Sequence, residues 1–140
     1  MSEPLQVSPR QWIEARRWLE FVDEDLRAAQ MLVNASPPAI RSAAFHGQQA
    51  AEKLAKAVLV AMSVDIPKTH DLTELSRLVS EVEPNIGRAF AAMTNLTDWY
   101  IAARYVDAEI DIVPSEQDVR SALVRLQDLR RRVVAMAPSA

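Results

Sequence analysis

Eight prolines, at positions 4, 9, 37, 38, 67, 84, 114 and 138, divide the 140-residue chain into long stretches that contain none. A proline in a helix interior removes a backbone donor and clashes with the preceding turn, at a cost of about 3 kcal/mol. Here each proline falls between segments of periodic apolar residues or in a first turn, where the missing N–H is harmless. The chain is free to be helical between them, and the spacing of its apolar residues predicts that it is.

The first such segment, 9–34, opens with "SPRQ", in which Ser8 can cap, Pro9 takes the first helical position and Gln11 completes a capping box. Trp12, Ala15, Leu19, Val22, Leu26, Ala29 and Val33 then recur at alternating steps of three and four, and Trp18 and Phe21 widen the stripe. Asn34 and Ser36-Pro37 end this helix and begin the next. The second segment, 37–63, carries a broad stripe of small residues: Ile40, Ala43, Gly47, Ala50, Leu54, Ala57 and Ala61. Its Gly47 predicts a close approach by another backbone, since glycine in a helix otherwise costs about 1 kcal/mol relative to alanine. A short third helix is predicted over 72–82, capped by Asp71. A fourth is predicted from Pro84 to about 103, with Ile86, Ala89, Met93, Leu96, Tyr100 and Ala103 in register, and a fifth over 115–137, opening on the cap signal "SEQD" and carrying Val119, Ala122, Leu126, Leu129, Val133 and Met136. "EIDIV" at 109–113 alternates for too few residues to be a strand and reads as a loop. The expected fold is all-α: an up-down antiparallel bundle of four long helices and one short one. It forms one domain over 1–140, with tails at 1–8 and 138–140.

Composition narrows the function classes. A net charge of −3 argues against broad electrostatic binding of nucleic acid, while leaving room for a local basic stripe. The absence of cysteine excludes disulfides and thiolate chemistry. "MSEPLQVSPRQW" has neither the basic nor the apolar region of a secretory signal, and no apolar run approaches the roughly 20 residues of a membrane span. A cytoplasmic protein with no membrane association is expected.

Three stretches carry a resemblance. "WLEFVDEDLRAAQMLV" (18–33), "AAFHGQQAAEKLAKAVLV" (43–60) and "IPKTHDLTEL" (66–75), the last followed by "YIAARYVD" (100–107), resemble the HEPN domain family. The resemblance covers almost the whole chain. It implies an all-α bundle, usually a homodimer, and an association with nucleotides or RNA. It also implies, for small members, pairing with a minimal nucleotidyltransferase as a toxin–antitoxin module. Other members are metal-independent endoribonucleases that use an Arg followed, after four to six residues, by a His. The chain departs from that pattern: after Arg104 the expected His positions hold Glu109, Ile110 and Asp111. Arg41 and His46 match the spacing but stand in the second helix rather than the expected one.

The candidate residues fall in four places. In "FHGQQAAEKLAKAVL" (45–59), Phe45, Gln48, Gln49, Glu52, Lys56 and Leu59 share a side, with His46 and Lys53 at its margin. That side reads as a solvated face with a Glu52–Lys56 pair, as a dimer seam, or as a phosphate or base site built on Lys53, Lys56 and Gln49. His46 and His70, the only histidines, match no metal-ligand spacing. His70 reads as part of the turn before the third helix, or as a phosphate contact. In "YIAARYVDAEID", Arg104 can bind phosphate while Trp99, Tyr100 or Tyr105 stacks on bases, or Tyr100 is core and Arg104 pairs with Asp107 or Glu109. "RLQDLRRRV" (125–133) is the one basic cluster, but its three consecutive arginines must point to different sides of a helix.

The sequence thus predicts a nucleotide- or RNA-binding module without efficient catalysis of its own, using Arg104, Tyr105, Lys53, Lys56, Gln49 and His70. It would act with a nucleotidyltransferase or toxin–antitoxin partner, with no cofactor and no metal. The alternative is a metal-independent endoribonuclease toxin built on Arg104, His46 and Arg41.

Overall fold

The computed structural model describes residues 7–99 and 114–139. Among these residues the chain forms helices α1 (Pro9–Val33), α2 (Ile40–Ala61), α3 (Leu72–Val82), α4 (Pro84–Ala91) and α5 (Glu116–Val134), with no strand. The capping signals hold where they were expected. Ser8 and Gln11 form a reciprocal capping box at α1, Asp71 accepts from the Thr73 N–H at α3, and Ser115 and Asp118 form a second box at α5.

The second and fifth helices end at Ala61 and Val134, two and three residues short of the sequence reading, and two other boundaries differ as well. α2 starts at Ile40 rather than at Pro37, because the Ala39 N–H turns back to the Leu32 carbonyl and closes the α1–α2 connection first. The fourth helix is not one long rod: α4 ends at Ala91, and a turn at 92–95 precedes a further helical stretch at 96–99. Successive bonds there reach back three residues, from Met93 to Phe90, Leu96 to Met93 and Thr97 to Thr94. Thr94 and Asn95 are weak helix formers. The tighter turn lets Phe90, Met93, Leu96 and Trp99 all enter the core.

Contacts between helices give their relative directions. Asp25 meets His46 and Lys53, Phe21 lies under Lys53 and Trp18 under Lys56, so α1 and α2 run antiparallel. Arg120 bonds Asn34 and the Val33 carbonyl while Arg130 pairs with Asp23, so α5 is also antiparallel to α1. The Arg120 contact places a cation on the C-terminal carbonyls of α1, where the helix dipole favours it. The three arginines disperse as expected: Arg130 goes to Asp23 on α1, Arg131 to Asp128, and Arg132 to the Asn85 carbonyl on α4.

α2 is the central stave. From Ala43 to Met62 it has no exposed residue, and it packs against α1, α3 and α5. Alanines at 43, 44, 50, 51, 55, 57 and 61 are all buried. Their short side chains let three helices close on one without overfilling the centre. The apolar stripe of α1 is likewise buried at Ala15, Leu19, Val22, Leu26, Ala29 and Val33, but Phe21 is 53% exposed and does not join the core. α2 ends in a Schellman arrangement, with Ser63 N–H bonded to the Val60 carbonyl and Val64 N–H to Leu59, and Ser63 sits at φ 58°.

The close backbone approach expected at Gly47 occurs at the other glycine. A β-carbon at Gly47 would meet only a Leu123 methyl, at 3.8 Å, an ordinary contact. A β-carbon at Gly87 would lie 2.5 Å from the Ser80 α-carbon, so α3 and α4 cross there with no room for a side chain.

Gly87→Ala should therefore destabilise the fold by about 2 kcal/mol or more, while Gly47→Ala should leave it unchanged or raise stability by up to ~1 kcal/mol. Urea denaturation of the two variants checks this, and equal losses would contradict the helix crossing described here. Ser63→Gly should add about 1 kcal/mol by relieving the left-handed backbone at the end of α2. A melting temperature that stays put or falls would count against that geometry.

Candidate functional site

Along α2, His46, Gln49, Lys53 and Lys56 are half-buried, as is Phe45 beside His46, while Gly47, Gln48, Glu52, Leu54, Ala55 and Ala57 are buried. Steps of three and four place all four on one side of the helix. This side faces α1 and the loop before α3. Two carboxylates lie beneath it. Asp25, inside the apolar stripe of α1, is 8% exposed, and Glu52, on α2 itself, is 3% exposed.

Each carboxylate is held in the same way, by one lysine and one imidazole. Asp25 accepts from Lys53 Nζ at 2.7 Å through Oδ2 and contacts His46 Nδ1 at 3.0 Å through Oδ1. Glu52 Oε1 accepts from Lys56 Nζ at 2.8 Å and contacts His70 Nδ1 at 2.9 Å, while Oε2 accepts from the Gln48 amide at 3.1 Å. Gln49 Nε2 donates to Gln48 Oε1 at 2.7 Å, so the second cluster runs on without a break to the half-buried Gln49. No buried side-chain nitrogen or oxygen among the described residues lacks a partner. Both lysines also lie over aromatic rings of α1: Lys53 Nζ is 5.5 Å from the centroid of Phe21, and Lys56 Nζ is 5.8 Å from that of Trp18. Each such contact adds about 0.5–1 kcal/mol of attraction.

Burial explains why the partners are so complete. An isolated ionised carboxylate costs several kcal/mol to take out of water, and only a close cation with further hydrogen bonds offsets it. The pairing leaves polarity with a direction. The Asp25 side chain is 11% exposed and the Lys53 side chain that meets it is 26% exposed, so the carboxylate is the more deeply set of the two. The outward end of the pair is therefore positive. Because the carboxylates accept, each contacting imidazole nitrogen carries the proton.

The arrangement revises several sequence expectations. Glu52–Lys56 is not a solvated i,i+4 pair: Lys56 is 13% exposed, and the pair belongs to the interior. Gln48 and Leu59 are fully buried rather than part of an open face. His70 does more than shape its turn, where Thr69 Oγ1 accepts from the Asp71 N–H. It reaches back to α2 and joins Glu52. Trp99 is 4% exposed and belongs to the core, so it is not a stacking platform. Arg41 is exposed in the first turn of α2, and the five residues to His46 place the two side chains about 140° apart around the helix. Arg104 and Tyr105, with Tyr100, Asp107, Glu109 and Asp111, lie outside the described residues. The structure thus gathers His46, Gln49, Lys53, Lys56 and His70 around α2 and leaves Arg41 apart.

Asp25 is the residue that sequence reasoning missed. The available signal was an acid placed between Val22 and Leu26, inside a stripe otherwise made of Ala, Leu and Val. Among the described residues no group of three or more His, Asp or Glu side chains is placed to hold a metal ion, and no helix is long and apolar enough to cross a membrane.

The chain matches the family model of the HEPN domain over residues 15–135. That span includes both carboxylate clusters and every helix except the first turns of α1. No curated protein and no solved structure matches it.

Glu52→Ala should cost about 3 kcal/mol, because it strands the Lys56 ammonium in a largely buried position. A double-mutant cycle between Glu52→Ala and Lys56→Met should show a coupling of about 1–3 kcal/mol. Additive losses would mean that the two side chains do not interact as described.

Proposed function

The chain belongs to the HEPN domain family, and from that premise we propose that the side of α2 bearing His46, Gln49 and Lys53 is a contact surface for a nucleotide or RNA. The module acts as a homodimer with a nucleotidyltransferase or toxin–antitoxin partner and has no efficient catalysis of its own. The observation that carries this reading is the composition of the site. Cations held at fixed positions adjoin the exposed ring of Phe21, and phosphate and base are the two chemistries such a pairing serves. Lys53 is the more accessible of the two lysines, while Lys56 is held further inside by Glu52. His70, Arg104 and Tyr105 complete the proposed contact set. The large exposed apolar side chains Ile13 and Met31 of α1 and Val124 of α5, each more than half exposed, support a self-association surface.

One observation favours the rival reading, a metal-independent endoribonuclease. The carboxylate-held imidazole of His46 has the orientation of a general base. The family's Arg–His spacing is not met after Arg104, and Arg41 sits too far around α2 to share a phosphate with His46.

The test uses fluorescence polarisation with labelled single-stranded and structured RNA, together with gel analysis of the same RNA after prolonged incubation. Binding should weaken steeply with salt, and Lys53→Ala should weaken it further while lowering the salt slope by about one. The RNA should remain intact. Cleavage that His46→Ala abolishes would establish the endoribonuclease instead, and no binding even at low salt would remove the contact-surface reading. Light scattering should return twice the 15.6 kDa of one chain. A single-chain mass at all concentrations would remove the dimer.

A further inference from the structure

We propose that the groove between α5 and residues 89–99 docks an acidic amphipathic helix of a partner protein, two of whose carboxylates, two turns apart, meet Arg125 and Arg132. The groove shares no residue with the side of α2 described above, so this inference and the nucleotide reading can fail separately.

The shape comes first. Two cavities of about 430 and 270 Å³ open along α5 and share Ala92, Met93 and Arg125, so they form one groove. Its floor is the edge of the core, where Met93, Leu96 and Leu129 are buried. Its wall opposite α5 is low, made by the half-buried Ala89 and the exposed Ala92. Helices approach as closely as the side chains at their contact allow, and alanine allows the most.

The charges name the occupant. Arg125 is exposed and makes no hydrogen bond or ion pair with any described residue. Arg132 reaches a carbonyl, that of Asn85, and Arg88 reaches the Asn85 side chain at the same end of the groove. The acids nearby are already engaged: Asp128 is bonded by Arg131 at 3.1 Å, and Asp118 belongs to the capping box of α5. A chain of net charge −3 thus leaves three arginines together with no carboxylate partner among the described residues. Arg125 and Arg132 are seven residues apart, a rise of about 10.5 Å along α5. A helix lying beside α5 repeats that spacing between its own positions i and i+7, and an apolar residue between them enters the groove over Met93 and Leu129. Nucleic acid fits less well. Asp118 and Asp128 stand on the same rim, and Trp99, the one aromatic ring among the lining residues, is 4% exposed and offers no face for stacking.

The probe is a labelled, alanine-rich helical peptide of about 18 residues, with leucines along one face and two glutamates seven residues apart beside them. Fluorescence polarisation at low salt should show binding to the wild-type chain. Glutamine in place of both glutamates should weaken it about tenfold. The double variant Arg125→Glu with Arg132→Glu should reject the glutamate peptide and bind a lysine peptide that the wild type rejects. Ala92→Trp fills the groove without changing a charge, and should abolish binding of the glutamate peptide. If the charge-reversed variant does not fold, as judged by circular dichroism, Ala92→Trp decides. No binding by the wild type would overturn the inference, as would equal binding of the glutamate and glutamine peptides or binding that survives Ala92→Trp. Displacement of the peptide by unlabelled RNA would overturn it in favour of nucleic acid. A wild type that ignores the peptide, but whose dimer is lost on charge reversal, would assign the groove to a second copy instead. Peptide bound only after Asp107→Asn, Glu109→Gln and Asp111→Asn would assign it to the chain's own acids.

Discussion

Two carboxylates buried beside the central helix set the terms on which this bundle closes. Asp25 and Glu52 are 8% and 3% exposed. A carboxylate taken out of water is costly to leave without a cation, and each of these two is in contact with one lysine and one histidine. The partners come from α2 and from the loop before α3, and Asp25 itself stands on α1, so satisfying the charges fixes how three parts of the chain meet. A one-residue slip of α1 along α2 would break Asp25 from His46 and Lys53 together. A slip in an all-alanine seam would cost far less. The charges supply register where the small side chains of α2 supply only closeness.

That closeness is itself a condition for the site. α2 packs against α1, α3 and α5 because nearly every position facing them is Ala, with Leu54, Val58 and Leu59 filling what remains. Long side chains on α2 are confined to the one side where polar partners exist. The result is a rigid helix, packed on several sides, presenting His46, Gln49, Lys53 and Lys56 at fixed spacing. Groups presented this way lose little conformational entropy on binding, which favours recognition over flexible capture. α5 completes the support from a distance, with Arg120 on the end of α1 and Arg130 on Asp23.

Much of this was legible in the sequence, for identifiable reasons. Helix starts were written in local chemistry: Ser8 with Gln11, Asp71, and Ser115 with Asp118 each act within four residues, where neighbours decide the outcome. The stripes of α1 and α5 were readable because period alone places them. The break at 92–95 was not, because Met93 and Leu96 fit a continuous helix as well as a broken one, and only the position of the core distinguishes them. The two glycines show the same limit. Gly47 and Gly87 look alike in sequence, yet one faces a leucine methyl and the other a backbone. For the site, the lysines, His46 and Gln49 could be named from their helical side. Asp25 and the reach of His70 to Glu52 depend on partners 21 and 18 residues away, which no local pattern encodes.

On the proposed function, the buried charges are kept for what they present rather than for stability. Replacing a buried ion pair by apolar side chains of similar size is commonly neutral or stabilising. The most direct measurement is therefore the double variant Asp25→Leu with Lys53→Met, followed by urea denaturation and by RNA binding on the same preparation. The account predicts stability within about 1 kcal/mol of the wild type, together with loss of RNA binding. A fold weakened by several kcal/mol, or RNA bound as tightly as before, would contradict it.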